Sequence, residues 1–353
     1  MFRIDVLPAQ RGDCLWLTYG TPDDLHHVLV DAGPQETIKT LVPVLEDRIR
    51  ALPGRTSRVE LLVVTHVDAD HIQGVVSLLS GPGRVKLFRD VWFNGFEHLD
   101  APMLGGVDAE ELTLSLLQEP GRWNKAFAGE AVVLPDTGDL PVRTLRGGLR
   151  LTLLGPTHAA LTKLAPEWQE ACRRAGILPG QGAPVRRRSS VRDEFLGFDP
   201  DLLAQAKFIA DRSAPNGASI TLVAEYDGKR VLLLGDAITP EVTAGLDRLG
   251  PGPHRFDAVK LSHHGSRRNT SLDLLGRITS KKWLVSSNGA TFGHPDPECL
   301  ARVVVTQRKP TFYLNYVTDR VTDLIAGAGE RYSVKLPRAT RDGGHEEGIS
   351  VTV

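Results

Sequence analysis

Five apolar segments of the sequence each end in polar residues that can bind a metal ion or a substrate, and this recurrence constrains the fold more than any other feature. The clearest is VELLVVTH (59–66), a continuous apolar run typical of a strand buried on both faces. Comparable runs begin at residues 148, 230, 256 and 283. Because α/β proteins bind ligands outside the carboxyl ends of their strands, the pattern predicts an α/β sheet whose polar side chains meet at one edge.

The remaining segments also alternate between strand-like and helix-like patterns. Further predicted strands are FRIDVL (2–7), CLWLTY (14–19) and HHVLVDAG (26–33). Apolar residues at helical spacing from Ile38 onward predict a helix that Pro43 kinks or delays, and residues 71–80 predict another. Asp227-Gly228 predicts the turn of a hairpin. Segment 178–200, rich in Gly, Pro and Arg, is predicted to be a mobile loop or lid on a single domain that spans the chain.

The composition bears on the class of protein. With 353 residues, 41% of them hydrophobic, the chain is long enough to bury a large core. Its formal net charge of -1 does not favour a general polyanion-binding surface, so any contact with nucleic acid would come from local patches. The first residues contain no apolar signal core, and the three cysteines show no CxxC spacing. We therefore expect a cytoplasmic protein with buried thiols.

The densest motif is THVDADHIQG, which directly follows the first apolar run. It contains His66, Asp68, Asp70 and His71. Side chains at alternating positions of an extended turn project to one side, and the adjacent Asp70 and His71 can serve a second centre. Imidazole suits zinc, iron or manganese, and added carboxylates favour the harder members of that group. The motif therefore predicts a metal site.

This motif resembles the HxHxDH signature of the metallo-β-lactamase superfamily. Other blocks resemble, in order, those of the branch related to the metallohydrolase domain of the ComEC DNA-uptake protein. They are GDCLWLTYG (12–20), VLVDAGP (28–34), NGASITL (216–222), LLLGDA (232–237), KLSHHGS (260–266) and GHP (293–295). The resemblance implies an αββα sandwich with two divalent metal ions at the sheet edge and an attacking hydroxide that bridges them.

The resemblance also implies which residues bind the ions. Those of the first ion are His66, Asp68 and His158. Those of the second ion are Asp70, His71 and one histidine of the HHGS pair, and Asp236 bridges both ions. We favour His264 as the ligand from the pair, with His263 beside it as a proton donor or substrate contact.

The chain departs from the superfamily signature at Asp68, which replaces the usual second histidine. Three carboxylates would then offset three of the four positive charges of a divalent pair, and a bridging hydroxide would make the core neutral. Such a site is expected to generate a nucleophile with zinc or manganese, and to tolerate iron.

Further residues are predicted to act around the ions. Catalytic roles are predicted for Asp70, His263 and His294, the last as the group that protonates the leaving oxygen. Substrate contacts are predicted for Ser266, Arg267, Arg268 and Asn269, whose donors would lie near a phosphate. Residues predicted to orient the ligands are Asp31, Asn216 and Ser219.

The reaction that these features favour is hydrolysis of a phosphodiester, in a nucleotide or a single-stranded nucleic acid. A lactone or thioester hydrolase of the same fold is an alternative, and it would need an apolar pocket beside the ions. An iron redox enzyme would need a flavin or rubredoxin-like segment, and the sequence contains none. A binding module without catalysis would have to keep buried carboxylates that are costly without metal.

Overall fold

Two large β-sheets, a two-stranded sheet and ten α-helices make up the fold in the computed structural model, which describes residues 1–54, 58–99, 107–175, 198–341 and 345–353. The strands are β1 (Phe2–Val6), β2 (Leu15–Thr21), β3 (Asp24–Val30), β4 (Leu61–Val63), β5 (Val91–Trp92), β6 (Val142–Thr144), β7 (Arg150–Gly155), β8 (Thr221–Tyr226), β9 (Lys229–Leu233), β10 (His254–Phe256), β11 (Ala258–Lys260), β12 (Ile278–Ser280), β13 (Lys282–Val285), β14 (Thr311–Leu314), β15 (Ser333–Lys335) and β16 (Ile349–Thr352). The helices are α1 (Leu41–Ala51), α2 (Ala69–Leu79), α3 (Val107–Leu117), α4 (His158–Ala175), α5 (Pro200–Ala204), α6 (Ala214–Gly217), α7 (Thr239–Arg248), α8 (Leu272–Gly276), α9 (Pro297–Thr306) and α10 (Thr322–Ala326). Most of the loop predicted at 178–200 lies outside the described residues.

The strand order brings the ends of several parallel strands together. One sheet has six strands in the order β16-β1-β2-β3-β4-β5, with β3, β4 and β5 parallel. The other has eight strands in the order β15-β14-β13-β11-β9-β8-β7-β6, with the five from β15 to β9 parallel. Strands β10 and β12 form a small parallel pair of their own.

Three apolar layers separate the sheets and helices. Between the two sheets pack the inward side chains of both, such as Leu17 and Val28 from one and Leu153 and Leu222 from the other. The outer face of the six-stranded sheet is covered by α1, α2, α3 and α4. That of the eight-stranded sheet is covered by α7, α8, α9 and α10. The order of layers is therefore helix, sheet, sheet, helix, and the predicted αββα sandwich is confirmed.

Local sequence signals explain where several elements begin and end. Helix α1 begins at Leu41, so that Pro43 lies in the first turn, where a proline costs no intrahelical hydrogen bond. The hairpin of β8 and β9 closes at Asp227-Gly228, and both residues have positive φ, as a tight two-residue turn requires. The predicted hairpin turn is confirmed. The predicted helix is confirmed as one that begins late rather than one that Pro43 kinks.

The sheet edge collects the residues that follow β3, β4, β9 and β11. In the parallel pair of β3 and β4, Val30 lies opposite Val63, so that Asp31 and the segment after Val63 emerge side by side. In the parallel pair of β9 and β11, Leu233 lies opposite Lys260. The polar segments beyond these strands therefore meet at one end of the sandwich.

None of the helices in the described part of the chain combines the length and the apolar character that crossing a membrane requires.

Candidate metal centre

Four histidines converge on the carboxylate of Asp236 at the sheet edge. The Nε2 atom of His71 lies 3.3 Å from Asp236 Oδ1, and that of His264 lies 3.5 Å from Asp236 Oδ2. The Nε2 atoms of His263 and His66 lie 3.7 and 3.9 Å from the same Oδ2. Asp236 itself is 2% exposed. One buried carboxylate thus lies among four imidazoles that all present the same nitrogen to it.

The other ring nitrogen, Nδ1, of each histidine is hydrogen-bonded within the protein. His71 Nδ1 lies 2.8 Å from Asp31 Oδ2, and His264 Nδ1 lies 2.9 Å from the carbonyl oxygen of Ser286. Because a carbonyl and a carboxylate can only accept, Nδ1 carries the proton in both rings. Nε2 is then the nitrogen of each ring that a metal ion can bind, after displacing any proton that it holds.

The same arrangement holds for the other two histidines. The hydroxyl of Thr65 donates to Asp31 Oδ2 at 2.7 Å, which leaves its oxygen to accept from His66 Nδ1 at 3.0 Å. His263 Nδ1 lies 3.1 Å from Asn269 Oδ1. Partners of this kind fix the tautomer and the orientation of metal-binding histidines.

The spacing of the ligand atoms fits a divalent ion bound by Asp70, His71, Asp236 and His264. Ligand atoms 2.0–2.2 Å from zinc in a tetrahedral site lie roughly 3.4 Å from one another. The Nε2 atoms of His71 and His264 are 3.3 Å apart, and His264 Nε2 lies 3.6 Å from Asp70 Oδ2. Together with the distances to Asp236, this set matches the four residues predicted for the second ion.

The residues predicted for the first ion are only partly brought together. His66 Nε2 lies 3.6 Å from Asp68 Oδ2 and 3.9 Å from Asp236 Oδ2. His158, by contrast, is exposed at the first position of α4, and its described hydrogen bond is the one that its carbonyl accepts from Thr162. His263 instead reaches Asp236. The described geometry therefore brings His66, Asp68 and His263 together and leaves His158 apart from them.

Among the four histidines and Asp236, two atoms are buried without a hydrogen bond to any described residue. They are His66 Nε2 and Asp236 Oδ1. Leaving a buried polar atom unsatisfied is costly, and ion coordination is a common way to satisfy it. Both atoms point into the cluster, so the residues present fit a bound metal ion.

The backbone that carries the histidine pair is strained. His263 and His264 have φ values of 47° and 57°, in the left-handed region that non-glycine residues rarely adopt. Such conformations cost about 1–3 kcal/mol each and persist where the surroundings enforce them, commonly at functional sites. Here the hydrogen bond from His263 N to Gly235 O ties the pair to the segment that leads to Asp236.

Charges within the cluster shift the pKa values of its members. Burial opposes charge on the His264 ring, but Asp236 and Asp13 outweigh it and raise the pKa of His264 to about 9. The pKa values of His71 and His263 are raised in the same way, against burial, chiefly by Asp236. Without metal the rings therefore hold protons, and a bound cation must displace them, so ion binding is expected to weaken at low pH.

Two buried aspartates next to these histidines are absent from the sequence-based set. Asp13 Oδ1 lies 3.3 Å from His264 Nδ1, and Asp211 Oδ2 lies 3.5 Å from His263 Nδ1. Asp13 stands in the GDC block, which offered a signal because a charged residue there precedes a buried strand. We find no comparable pattern around Asp211, which approaches His263 only through the fold.

The residues predicted to orient the ligands are all buried. Asp31 accepts from Thr65 N at 2.8 Å as well as facing His71, so one carboxylate joins the ends of β3 and β4. Asn216 Nδ2 donates to Asp211 at 2.6 Å. Ser219 Oγ, which is buried, has no hydrogen bond to a described residue. Asp31 and Asn216 therefore contact the histidine cluster or its aspartates.

The four residues after the histidine pair are placed differently from one another. Asn269 is fully buried beneath His263 and also donates to Asp211 and to the carbonyl oxygen of Asp236, at 3.1 Å in each case. Ser266 is buried and accepts from the backbone of Arg268. These contacts place Asn269 and Ser266 inside the loop, which differs from the substrate contacts predicted for them.

The two arginines of that segment are exposed. The guanidinium of Arg267 donates to Glu298 at 2.7 Å, and its backbone nitrogen donates to Asp296 at 2.8 Å. The carbonyl oxygen of Arg268 accepts from Asp211 N, while its side chain projects from the surface. Of the two, Arg268 has the guanidinium that is not already paired with a described acid.

His294 lies at the rim of the cluster. Its ring centroid is 5.1 Å from that of His263, and its Nδ1 lies 3.4 Å from Asp296 Oδ2. Burial lowers the pKa of His294, although Asp296 acts in the opposite direction. The ring is therefore neutral near pH 7.

The fold and site together define an αββα protein with a buried histidine–carboxylate cluster suited to divalent ions. The sequence matches no protein-family model and no curated protein. Zn²⁺-bound PqqB from Methylobacterium extorquens is similar in structure with a TM-score of 0.40 and 11% identity, over 100% of both chains. A mutant of the β-hydroxylase CmlA has a TM-score of 0.39 and 11% identity, over 100% of this chain and 54% of that chain. A metallo-β-lactamase with a HARLDQ motif from Cronobacter sakazakii has a TM-score of 0.31 and 16% identity, over 74% of this chain and 78% of that chain.

Proposed function

We propose that the protein is a metal-dependent hydrolase that binds two divalent ions and cleaves phosphodiesters. The observation that carries this proposal is the presentation of four Nε2 atoms to the carboxylate of Asp236, at 3.3–3.9 Å, with every Nδ1 hydrogen-bonded elsewhere. In such a site a carboxylate with two free oxygens can bridge two ions. A bound pair of ions would supply a nucleophile at neutral pH and polarise the phosphoryl group.

Each ion is assigned to a group of residues that share Asp236. The second ion is assigned to Asp70, His71 and His264. The first ion is assigned to His66, Asp68 and His263. Because each group contributes an aspartate besides the shared one, the ligands carry three negative charges, and zinc, manganese and iron are all suitable occupants.

His294 is proposed to donate a proton to the leaving oxygen as a general acid. To protonate the leaving oxygen, the neutral ring must first take up a second proton, for which the attacking water is the available source, and Asp296, 3.4 Å from Nδ1, would stabilise the charged ring that results. The position of His294 beside His263 supports this role, because a leaving group bound across the cluster would lie next to it.

Two arginine side chains near the histidine cluster support the proposal that the substrate carries a phosphate group. Arg268 projects from the loop that follows the histidine pair. The Arg320 side chain packs against Gly293, where an added Cβ would lie 2.9 Å from Nη2 of the guanidinium. Arg320 forms no hydrogen bond or ion pair with the residues that the structure describes. Guanidinium groups recognise phosphate oxygens in bidentate geometry, and the proposed substrates are a nucleotide or a single-stranded nucleic acid.

The proposal can be tested with metal-loaded protein on bis(p-nitrophenyl) phosphate, a dinucleotide, a lactone and a thioester. We expect turnover of the phosphodiesters. We also expect a fall in kcat/KM of about 10- to 150-fold for Arg268→Ala and for Arg320→Ala, since a charge-assisted hydrogen bond contributes about 1.5–3 kcal/mol. Arg267→Ala is the matched control, because its guanidinium is already paired with Glu298. Turnover of the lactone or thioester alone would overturn the phosphodiester assignment.

A further inference from the structure

A second buried charge pair lies directly behind the metal centre. Lys260, at the end of β11, places Nζ 2.6 Å from Asp13 Oδ2, and neither side chain is more than 2% exposed. The other oxygen of Asp13 lies 3.3 Å from His264 Nδ1. Lys260, Asp13 and His264 therefore form a continuous chain that ends at the second ion's ligands.

We propose that Asp13, held in place by Lys260, orients His264 for the second metal ion and does not itself bind the ion. The inference rests on the metal centre of the proposed function. The alternative is that Asp13 binds the ion directly. Its carboxylate belongs to a group of residues whose ligand atoms all lie within 4.8 Å of one another, namely Asp13, His71, Asp236 and His264.

The direction in which each atom faces favours orientation over direct binding. The Nε2 atom of His264 faces Asp70, Asp236 and His71, whereas Asp13 approaches the Nδ1 atom of the ring. The two nitrogens of an imidazole point in different directions, so the contact of Asp13 with Nδ1 lies on a different edge of the ring from an ion bound to Nε2. Of the two oxygens of Asp13, Oδ2 is occupied by Lys260, while Oδ1 lies 3.3 Å from His264 Nδ1 without a hydrogen bond to a described residue.

The charge of Asp13 explains why a lysine is buried at position 260. A buried carboxylate without a partner would be costly and would tend to take up a proton. The N–H of His264 already donates to the carbonyl oxygen of Ser286, so Asp13 acts on the ring through its negative charge, which a neutral acid would lack. The ammonium of Lys260 keeps the carboxylate charged, and its second hydrogen bond, to the carbonyl oxygen of Leu261 at 3.0 Å, fixes its position.

The loop that carries Asp13 is itself closely packed. A Cβ at Gly12 would lie 1.8 Å from the carbonyl oxygen of Asp70, and the carbonyl oxygen of Gly12 accepts from Ser286 Oγ at 2.8 Å. Ser286 also provides the carbonyl that His264 Nδ1 contacts. Asp13 is thus held between the second ion's ligands by contacts that allow little movement.

The experiment compares Asp13→Asn, Lys260→Met and the double variant with wild type. Ion affinity is measured by competition with a chelator, and stability by thermal melting. Each single variant is expected to lower the melting temperature, because one buried charge or dipole loses its partner. The double variant removes both charges at similar volume and is expected to recover most of that loss. Its affinity for one of the two ions is expected to stay about 10–100-fold below wild type, as for other groups that orient metal-binding histidines.

A control pair outside the metal centre is buried Asp5 with half-buried Arg48, joined at 2.7 Å. The described partners of Asp5 are Arg3, Arg48 and Ser350, none of which belongs to the metal centre. Asp5→Asn with Arg48→Met should change the melting temperature without changing ion affinity. Wild-type affinity in the Asp13→Asn, Lys260→Met double variant would overturn the proposal and leave the pair a purely structural one.

Direct binding by Asp13 is tested with Co²⁺, whose visible absorption changes with coordination number. The intensity per bound ion should be the same in Asp13→Asn as in wild type, and a change in intensity would indicate that Asp13 is a ligand.

If the variants do not fold, nitrogen NMR of wild-type protein labelled in histidine is decisive, because the proposal requires His264 to be metal-bound at Nε2 and protonated at Nδ1. Metal at Nδ1 would overturn the proposal. Wild-type protein that binds no divalent ion would overturn the proposed function as well, whereas ion binding without phosphodiester turnover would leave this inference intact.

Discussion

Asp236 differs from the other carboxylates of the site because its two oxygens face different histidines. Oδ1 faces His71, and Oδ2 faces His66, His263 and His264. Burial would raise the pKa of an isolated carboxyl group, but the surrounding imidazoles, His71 foremost, hold the pKa of Asp236 well below its usual range. A permanently charged carboxylate at this point can hold two cations close together.

Replacing Asp236 should therefore empty both ion sites. Asp236→Ala is expected to retain less than half of the wild-type metal content, because each ion loses a ligand and the anion that offsets its repulsion from the other. Elemental analysis of purified protein measures this. Asp247→Ala, at an exposed aspartate, serves as the control. Full occupancy by two ions in Asp236→Ala would contradict the bridging role.

The aspartate at position 68 should influence the choice of metal. It is the most exposed of the ligand aspartates, with 40% of its side chain accessible, and it lies 3.6 Å from His66 Nε2. Because imidazole is a softer ligand than carboxylate, Asp68→His is expected to shift the ranking of activity from manganese toward zinc. Activity across a series of metals in both proteins tests this, and an identical ranking would argue against Asp68 as a ligand.

At the scale of elements, helix α2 positions two ligands through a close main-chain contact. Its first turn carries Asp70 and His71, and the carbonyl oxygen of His71 accepts from Ala32 N at 3.1 Å. One turn later, Gly74 lies so close to the chain after β3 that a Cβ would be 1.9 Å from the carbonyl oxygen of Ala32. The helix can therefore approach this sheet edge only with glycine at that position.

Gly74→Ala should displace the helix and weaken the second ion site. We expect a loss of about 1–3 kcal/mol in the free energy of unfolding, as for other overpacked positions, together with lower ion affinity. Chemical denaturation and chelator competition measure the two effects. Gly276→Ala is the matched control, because a Cβ at the end of α8 would meet nothing within 4 Å. Equal behaviour of the two variants would contradict the packing argument.

At the scale of the whole molecule, a histidine buried in the sandwich outside the metal centre makes the free energy of unfolding depend on pH. His27, on β3, accepts a hydrogen bond at Nδ1 from the indole N–H of Trp16, which can only donate. Burial, aided by the charge of neighbouring His26, lowers the pKa of His27 from 6.5 to about 4. The folded protein therefore keeps this ring neutral at a pH where the unfolded chain protonates it.

The sign of the resulting dependence follows from proton uptake. The stability that His27 contributes is fully present above pH 6.5 and is lost as the pH falls from 6.5 through about 4, because the unfolded state binds the extra proton. His27→Gln, which keeps an acceptor for Trp16, should flatten this part of the curve. Denaturant unfolding of both proteins between pH 7 and pH 4 measures the difference. The metal centre is the same in both proteins, so its own contribution to the pH dependence cancels in the comparison. Parallel curves would contradict the buried neutral state of His27.

The sequence by itself indicated an α/β sheet and part of the candidate site, because both depend on residues that are neighbours in the chain. Apolar runs predict strands, and polar residues directly after them must emerge at a sheet edge. This reasoning identified His66, Asp70, His71 and Asp236, and the structure brings these four together. Resemblance to the metallo-β-lactamase superfamily supplied the sandwich, although the ComEC-related branch stays a prediction.

Only the tertiary structure decided which histidine accompanies His66 and which aspartates lie behind the rings. His263 turns toward Asp236 because its backbone and that of His264 adopt positive φ, which no spacing in the sequence reveals. Asp13 and Asp211 reach the histidine pair from distant loops. The direction of a side chain at a strand end depends on the packing of the loop that carries it, and that packing depends on contacts between segments far apart in the chain.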